Sequence, residues 1–161
     1  MSCSCGIQSK DECKAMQYAV IVKEAEDFEY AKVYRLRVDT YCLQHPDIHL
    51  ISSKSFFAHL LGMCIAIEYN NDPNLFKAIS KWGYGKNKLE KPPMLEYFGD
   101  LTILHIINAK NGFEYGELVK EWANSVWNSY IIYHEFAHSW LEKVKEEYYD
   151  LNTAFIKNKD H

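Results

Sequence analysis

Seven residues carry the chemistry this sequence offers: Cys3, Cys5 and Cys13 near its start, His45 and His59 further on, and His134 and His138 towards its end. All are metal-ligand types. His134 and His138 stand one helical turn apart in His134-Glu135-Phe136-Ala137-His138. On a helix, that spacing points both imidazoles the same way. Two such histidines can share one metal ion while the intervening Glu serves as general base, as in H-E-x-x-H zinc hydrolases. A third protein ligand is then needed. The G-x-x-H continuation is absent, because Leu141 and Val144 occupy those places, and Glu142, Glu146 and Glu147 follow on the same helix or at its end. The plainer reading is a pair of core-facing histidines hydrogen-bonded inside a bundle.

The cysteines pose a separate question. Cys3-Ser4-Cys5-Gly6 followed by Cys13 gathers three thiols into eleven residues. In a reducing compartment such a cluster points to metal or redox chemistry rather than to disulfides, with incidental thiols on a frayed tail as the alternative. Three thiols are one ligand short of a structural zinc site, and a histidine from elsewhere can supply the fourth. His45 precedes Pro46 at the end of a helical pattern. A protonated imidazole suits the helix dipole there, whereas a neutral one can ligate. His59 falls early in the next helical pattern, at the same end of the hairpin. Zinc accepts mixed Cys and His donors, so it is the expected ion, with another divalent metal as the alternative.

Six helical segments must position these residues. The pattern predicts helices over about 10–26, 30–44, 52–69 and 72–82, a short helix over 101–107, and one long C-terminal helix from about 113 to 148. Asp27-Phe28-Glu29 reads as a break, and Pro46 ends the second segment because the residue before proline is pushed out of the helical region. Asp72-Pro73 is an N-cap with proline at the first helical position. Leu101–Ile107 has the β-branched content of a strand, but no partner strand is visible. In the long segment, Ala123, Trp127, Tyr130, Ile131, His134, His138 and Leu141 share one face, and Trp122, Val126, Tyr133, Ala137, Trp140 and Val144 share the next. A helix apolar over two stripes lies between other helices. Residues 1–8 read as an irregular Cys-containing tail, 83–99 as a loop long enough to be a lid or binding segment, and 155–161 as a mobile tail.

The expected architecture is therefore all-α: one domain over residues 1–161, a bundle of about five or six helices with a long C-terminal helix. Such a length suits a single core. The net charge of −4 argues against a general nucleic-acid binder. No apolar run is long enough to span a membrane, and the N-terminus lacks the apolar stretch of a signal peptide. The odd count of five cysteines fits a cytosolic chain with reduced thiols. Homo-oligomerisation is compatible with the sequence.

Several motifs together carry a family resemblance. They are Cys3, Cys5, Gly6 and Cys13; Arg35-Leu36-Arg37-Val38-Asp39-Thr40-Tyr41-Cys42-Leu43-Gln44-His45-Pro46; Ser55 to His59-Leu60; Pro92-Pro93; Leu101 onwards; and Trp122-Ala123 through Val126-Trp127 to Tyr130 and His134. In these the chain resembles an uncharacterised bacterial family of small helical proteins, a domain of unknown function. The resemblance favours His45, His59 and His134 over the other histidines. Relatives often have Arg at the position of His138, usually space the Cys pair as C-x-x-C, and in many cases have His where Tyr34 stands. More distantly, the chain is similar in architecture to DinB/YfiT-type bundles. Those bind a divalent metal through one early-helix His and a late-helix His pair, a role that His45 or His59 with His134 and His138 would fill.

Three functions follow as expectations. The first is a metal-binding bundle, either with a structural site on the cysteines and one His or with a His-rich site where Glu135 or Asp39 serves as base. The second is a non-catalytic interaction or regulatory module with an aromatic surface near Trp82, Tyr84 and Tyr97. The third is a zinc hydrolase using His134, Glu135 and His138.

Overall fold

In a computed structural model, the backbone is described for residues 1–157 and the side chains for residues 1–148. The described chain is all-α: α1 (Lys10–Glu26), α2 (Phe28–Ala31), α3 (Tyr34–Gln44), α4 (Pro46–His49), α5 (Ser53–Glu68), α6 (Pro73–Tyr84), α7 (Gly112–Ser129) and α8 (His134–Lys157). Four of the longer helices begin at a side-chain cap, one of them the expected Asp72. Ser9, Ser52, Asp72 and Asn111 each accept a hydrogen bond from a backbone N–H in the first turn of the helix that follows.

The eight helices exceed the expected five or six for local reasons. The segment expected over 30–44 is divided between α2 and α3, and Pro46 starts the short α4 as well as ending α3. Leu101–Ile107 is neither strand nor α-helix; a 3₁₀ turn at Ile103–His105, capped by Thr102, occupies it. Helix α6 runs two residues past its expected end, to Tyr84, with Gly85 as its cap. Of the expected tail over 155–161, α8 runs through residue 157, and residues 158–161 lie outside the described residues.

The largest correction concerns the C-terminal helix, which is two helices. Tyr130 is wholly buried, and its hydroxyl donates to the Leu43 carbonyl at 2.6 Å. With Tyr130 held there, the chain turns through a 3₁₀ step at Ile131–Tyr133. Ile131 and Ile132 face outwards, and α8 begins afresh at His134. The His134 Nε2–H donates to the Trp127 carbonyl at 2.8 Å and so satisfies an end group of α7.

Helix α5 is the apolar centre. It buries Phe56, Phe57, Leu60, Leu61, Met63, Cys64 and Ile65, and packs on α3, α6, α7 and α8. Asp39 of α3 lies so close to Gly62 of α5 that a Cβ there would stand 2.3 Å from Asp39 Oδ2. By contrast, α1 buries only Cys13, Val20 and Glu24. Its far end is held by a buried ion pair. Arg37 Nε and Nη2 donate to the two Glu24 oxygens at 3.0 and 2.5 Å, and the Tyr115 hydroxyl of α7 donates to the same carboxylate at 2.7 Å.

Removing one member of a buried pair strands its partner's charge. Arg37→Ala is therefore expected to destabilise the protein by about 3–5 kcal/mol in urea unfolding, and more than Glu24→Gln, which keeps a hydrogen-bonding carbonyl.

Candidate metal centre

The first seven residues are not a frayed tail. The Cys3 N–H donates to the Ile7 carbonyl at 2.8 Å, and the Gly6 N–H donates to the Cys3 carbonyl at 3.0 Å. Gly6 supplies the positive φ of +95° that the tight turn requires. Cys3, Cys5 and Ile7 are buried. The Ser4 hydroxyl ties this turn to the end of α3 by donating to the Gln44 carbonyl at 2.9 Å. Ser9 then caps α1 and places Cys13 one turn in, facing back towards Cys3 and Cys5.

His45 arrives from the α3–α4 corner, 1% exposed. Its φ of −126° and ψ of 57° leave the helical region, as a residue before proline must. The Tyr41 ring stacks on the imidazole with centroids 3.9 Å apart. His45 Nδ1 lies 2.6 Å from the Tyr41 carbonyl, which can only accept, so Nδ1 carries a proton. In the neutral ring Nε2 is then the free lone pair, and it faces Cys13 Sγ at 3.3 Å.

Cys3 Sγ, Cys5 Sγ, Cys13 Sγ and His45 Nε2 all lie within 4.8 Å of one another. Cys5 Sγ and Cys13 Sγ are 3.8 Å apart. Two thiolates on one tetrahedral zinc, with Zn–S of about 2.3 Å, would stand about 3.8 Å apart. The cluster favours thiolate at one position. The hydrogen bond from Cys5 pulls the Cys13 thiol down to about 4 against the cost of burial; Tyr41 pulls the same way, and so does His45 when its Nε2 carries a hydrogen, which a metal ion would replace. Cys5 is pushed up by giving that hydrogen bond and by burial, and Cys3 is pushed up by burial. The Tyr41 hydroxyl, 3.7 Å from Cys13 Sγ, is a further donor to the sulfur. No disulfide forms, and all five cysteines are free.

The profile of a family described as a family of unknown function (DUF5946) matches residues 1–131. The chain belongs to that family. The match takes in every residue of the Cys3–Cys5–Cys13–His45 group and stops just short of His134, so the H-E-x-x-H segment lies beyond it. No curated protein and no solved structure matches the chain.

The other predicted site residues are held elsewhere. His59 Nδ1 pairs with Asp39 Oδ1 at 2.8 Å, with Cys42 as a second hydrogen-bonding neighbour. His134 stacks on Trp127, with centroids 3.9 Å apart, and gives its Nε2–H to a backbone carbonyl. His138 Nε2 pairs with Glu68 of α5. The His134 and His138 ring centroids are 6.5 Å apart, and no group of donors among the described residues includes both. Their face is also not buried as expected, since the His138 side chain is 42% exposed. The expected aromatic surface is likewise incomplete: Trp82 is buried against Phe57, with centroids 4.8 Å apart, while Tyr84 and Tyr97 are exposed. The segment after α6 is tied down, Lys91 donating to the Ile51 carbonyl at 3.3 Å and the Tyr133 hydroxyl donating to the Pro93 carbonyl. Its end, Glu96–Asp100, forms with Cys5, Gly6 and Met16 the walls of a cleft of about 990 Å³.

The pattern passed over the buried polar contacts. Gln44 donates to the Phe98 and Leu101 carbonyls at 2.8 and 2.7 Å and accepts from Trp122 Nε1 at 3.0 Å. The one signal for it was a run of polar residues inside a helix that must be buried: Arg37, Asp39, Thr40 and Gln44.

The Asp39–His59 pair gives a pH test. Burial opposes charging the imidazole, but the hydrogen bonds to Asp39 and Cys42 outweigh it and raise His59 from 6.5 to about 9. Burial also pushes the Asp39 carboxyl up, so both directions leave one proton held between Nδ1 and Oδ1 at neutral pH. A histidine with a raised folded value stabilises fully below about pH 6.5, and that contribution fades as the pH rises through about 9. An NMR titration should place the His59 midpoint near 9, and Asp39→Asn should return it to 6.5 or below.

Proposed function

We propose that this chain is a zinc-binding helical protein whose centre, built from Cys3, Cys5, Cys13 and His45, is structural. The observation that carries the reading is the convergence of four donor atoms within 4.8 Å, with His45 already fixed in the tautomer that ligates through Nε2. A second-sphere carbonyl on the other ring nitrogen is the usual arrangement of a metal-bound histidine. Three sulfurs and one nitrogen suit zinc. Four protein ligands also leave no open coordination position, so the centre holds structure rather than activating water. When bound, zinc supplies a cross-link between the N-terminal turn, the first turns of α1 and the α3–α4 corner.

The hydrolase reading finds no support in the geometry. His134 spends Nε2 on the α7 carbonyl, and Glu135 is exposed. The interaction reading keeps only Tyr84 and Tyr97 of its proposed surface.

Protein purified without a metal-affinity column should carry zinc by elemental mass spectrometry. Cys13→Ser should lower that content by one equivalent, whereas Glu135→Gln should leave it unchanged. Chelation should lower the melting temperature and raise backbone hydrogen exchange in α1 before α5, because α1 has little other apolar anchorage. Full zinc retention in Cys13→Ser would sink the assignment.

A further inference from the structure

A second group of donors lies where α8 packs on α5 and shares no residue with the centre above. Cys64 and Glu68 are one turn apart on α5, so their side chains lie on the same face, and α8 brings His138 to that face. The three ligand atoms lie within 4.8 Å of one another. Cys64 Sγ is 3.8 Å from Glu68 Oε2, and His138 Nε2 meets the same oxygen. The other carboxylate oxygen, Oε1, accepts from Trp127 Nε1 at 3.2 Å. An outer donor of that kind orients a ligating carboxylate.

Burial is graded across the group. Cys64 is fully buried, while the Glu68 and His138 side chains are 30% and 42% exposed. An ion entering from solvent therefore reaches a sulfur at the bottom and an oxygen and a nitrogen at the sides. The outward position is left to water.

We propose that Cys64, Glu68 and His138 form a second divalent-cation site, taking zinc or another ion that accepts sulfur, with three protein ligands and one solvent-facing position. Binding breaks the Cys64 S–H bond and forms a sulfur–metal bond. The proton leaves to solvent, and nothing is oxidised or reduced. In the metal-free protein the His138 Nε2–H donates to Glu68 Oε2; on binding that hydrogen leaves Nε2 by way of solvent, and the neutral ring, with its proton on Nδ1, ligates through Nε2. In the metal-free protein, burial and then the Glu68 charge push the Cys64 thiol up to about 12, so the ion has to displace a firmly held proton. The charge of Lys145 of α8 acts on the thiol in the opposite sense; Lys145 itself pairs with Glu142 at 2.9 Å and lies over the Tyr69 ring. Three ligands, one of them a carboxylate, and an open position make an exchangeable site, in contrast to the closed four-ligand centre.

The test counts zinc equivalents in full-length protein after dialysis against zinc and removal of the weakly held metal with a micromolar-affinity chromophoric chelator. Wild type should retain two. His138→Gln and Glu68→Gln should retain one, as should Cys13→Ser, and the double variant Cys13→Ser/His138→Gln none. Circular dichroism checks that each variant is folded. Cobalt(II) added to Cys13→Ser should also quench part of the tryptophan emission, through Trp127 beside Glu68, and Trp127→Phe should remove that part. One equivalent in wild type that His138→Gln leaves in place would overturn this site and keep the first. One equivalent that His138→Gln removes and Cys13→Ser does not would keep this site and overturn the first.

Discussion

Helix α3 is both buried and polar, and the rest of the molecule is arranged around its polar side chains, all of them hydrogen-bonded though Asp39 Oδ2 itself has no hydrogen-bond partner. Arg37, Asp39, Thr40, Gln44 and His45 are all buried. A buried polar group without a partner costs several kcal/mol, roughly, and a buried charge costs more. Each of these side chains therefore dictates what stands opposite it. Arg37 requires Glu24 of α1, Asp39 requires His59 of α5, and Gln44 requires the Phe98 and Leu101 carbonyls and the Trp122 indole. Thr40 turns back on the Leu36 carbonyl of its own helix. The Tyr130 hydroxyl reaches the Leu43 carbonyl from the end of α7. Four elements are registered against α3 by polar contacts, which have direction, where apolar packing alone would tolerate sliding.

This constraint explains the placement of the proposed metal centre. His45, the residue that caps the end of α3, closes this buried polar series, and its Nε2 faces the group of thiols. Helix α1 crosses this region with little apolar area of its own, so it is held at its two ends: Cys13 at the start and Glu24 near the finish. Both attachments lead back to α3. A helix held that way depends on the chemistry at its ends, since packing supplies most helical stability elsewhere in the bundle.

The C-terminal histidines, one turn apart in the sequence, take different partners in the fold. The spacing of His134 and His138 would aim both rings at one ion if both ring nitrogens were free. Tyr130 prevents this by anchoring the end of α7, which forces a turn and brings His134 back as a cap. His138, released from that pairing, faces α5 and meets Cys64 and Glu68. The two histidines therefore meet different groups, a backbone carbonyl for His134 and the Glu68 carboxylate for His138.

By itself the sequence determined the helical class, the cap at Asp72, the end of α3 before Pro46, and the donor types Cys3, Cys5, Cys13 and His45. These are local matters: capping oxygens, proline sterics and apolar spacing act within a turn or two of the chain. The tertiary structure alone decided which histidine joins the cysteines, because ligand convergence depends on distances between residues far apart in the chain, and spacing carries no such information. It also decided that the expected long helix is broken at Tyr130, since that break follows from a hydrogen bond to a residue 87 positions away. The pairing of Cys64 and Glu68 with His138 has the same origin. Its one-turn half was legible on α5, but the other half depends on how α8 packs.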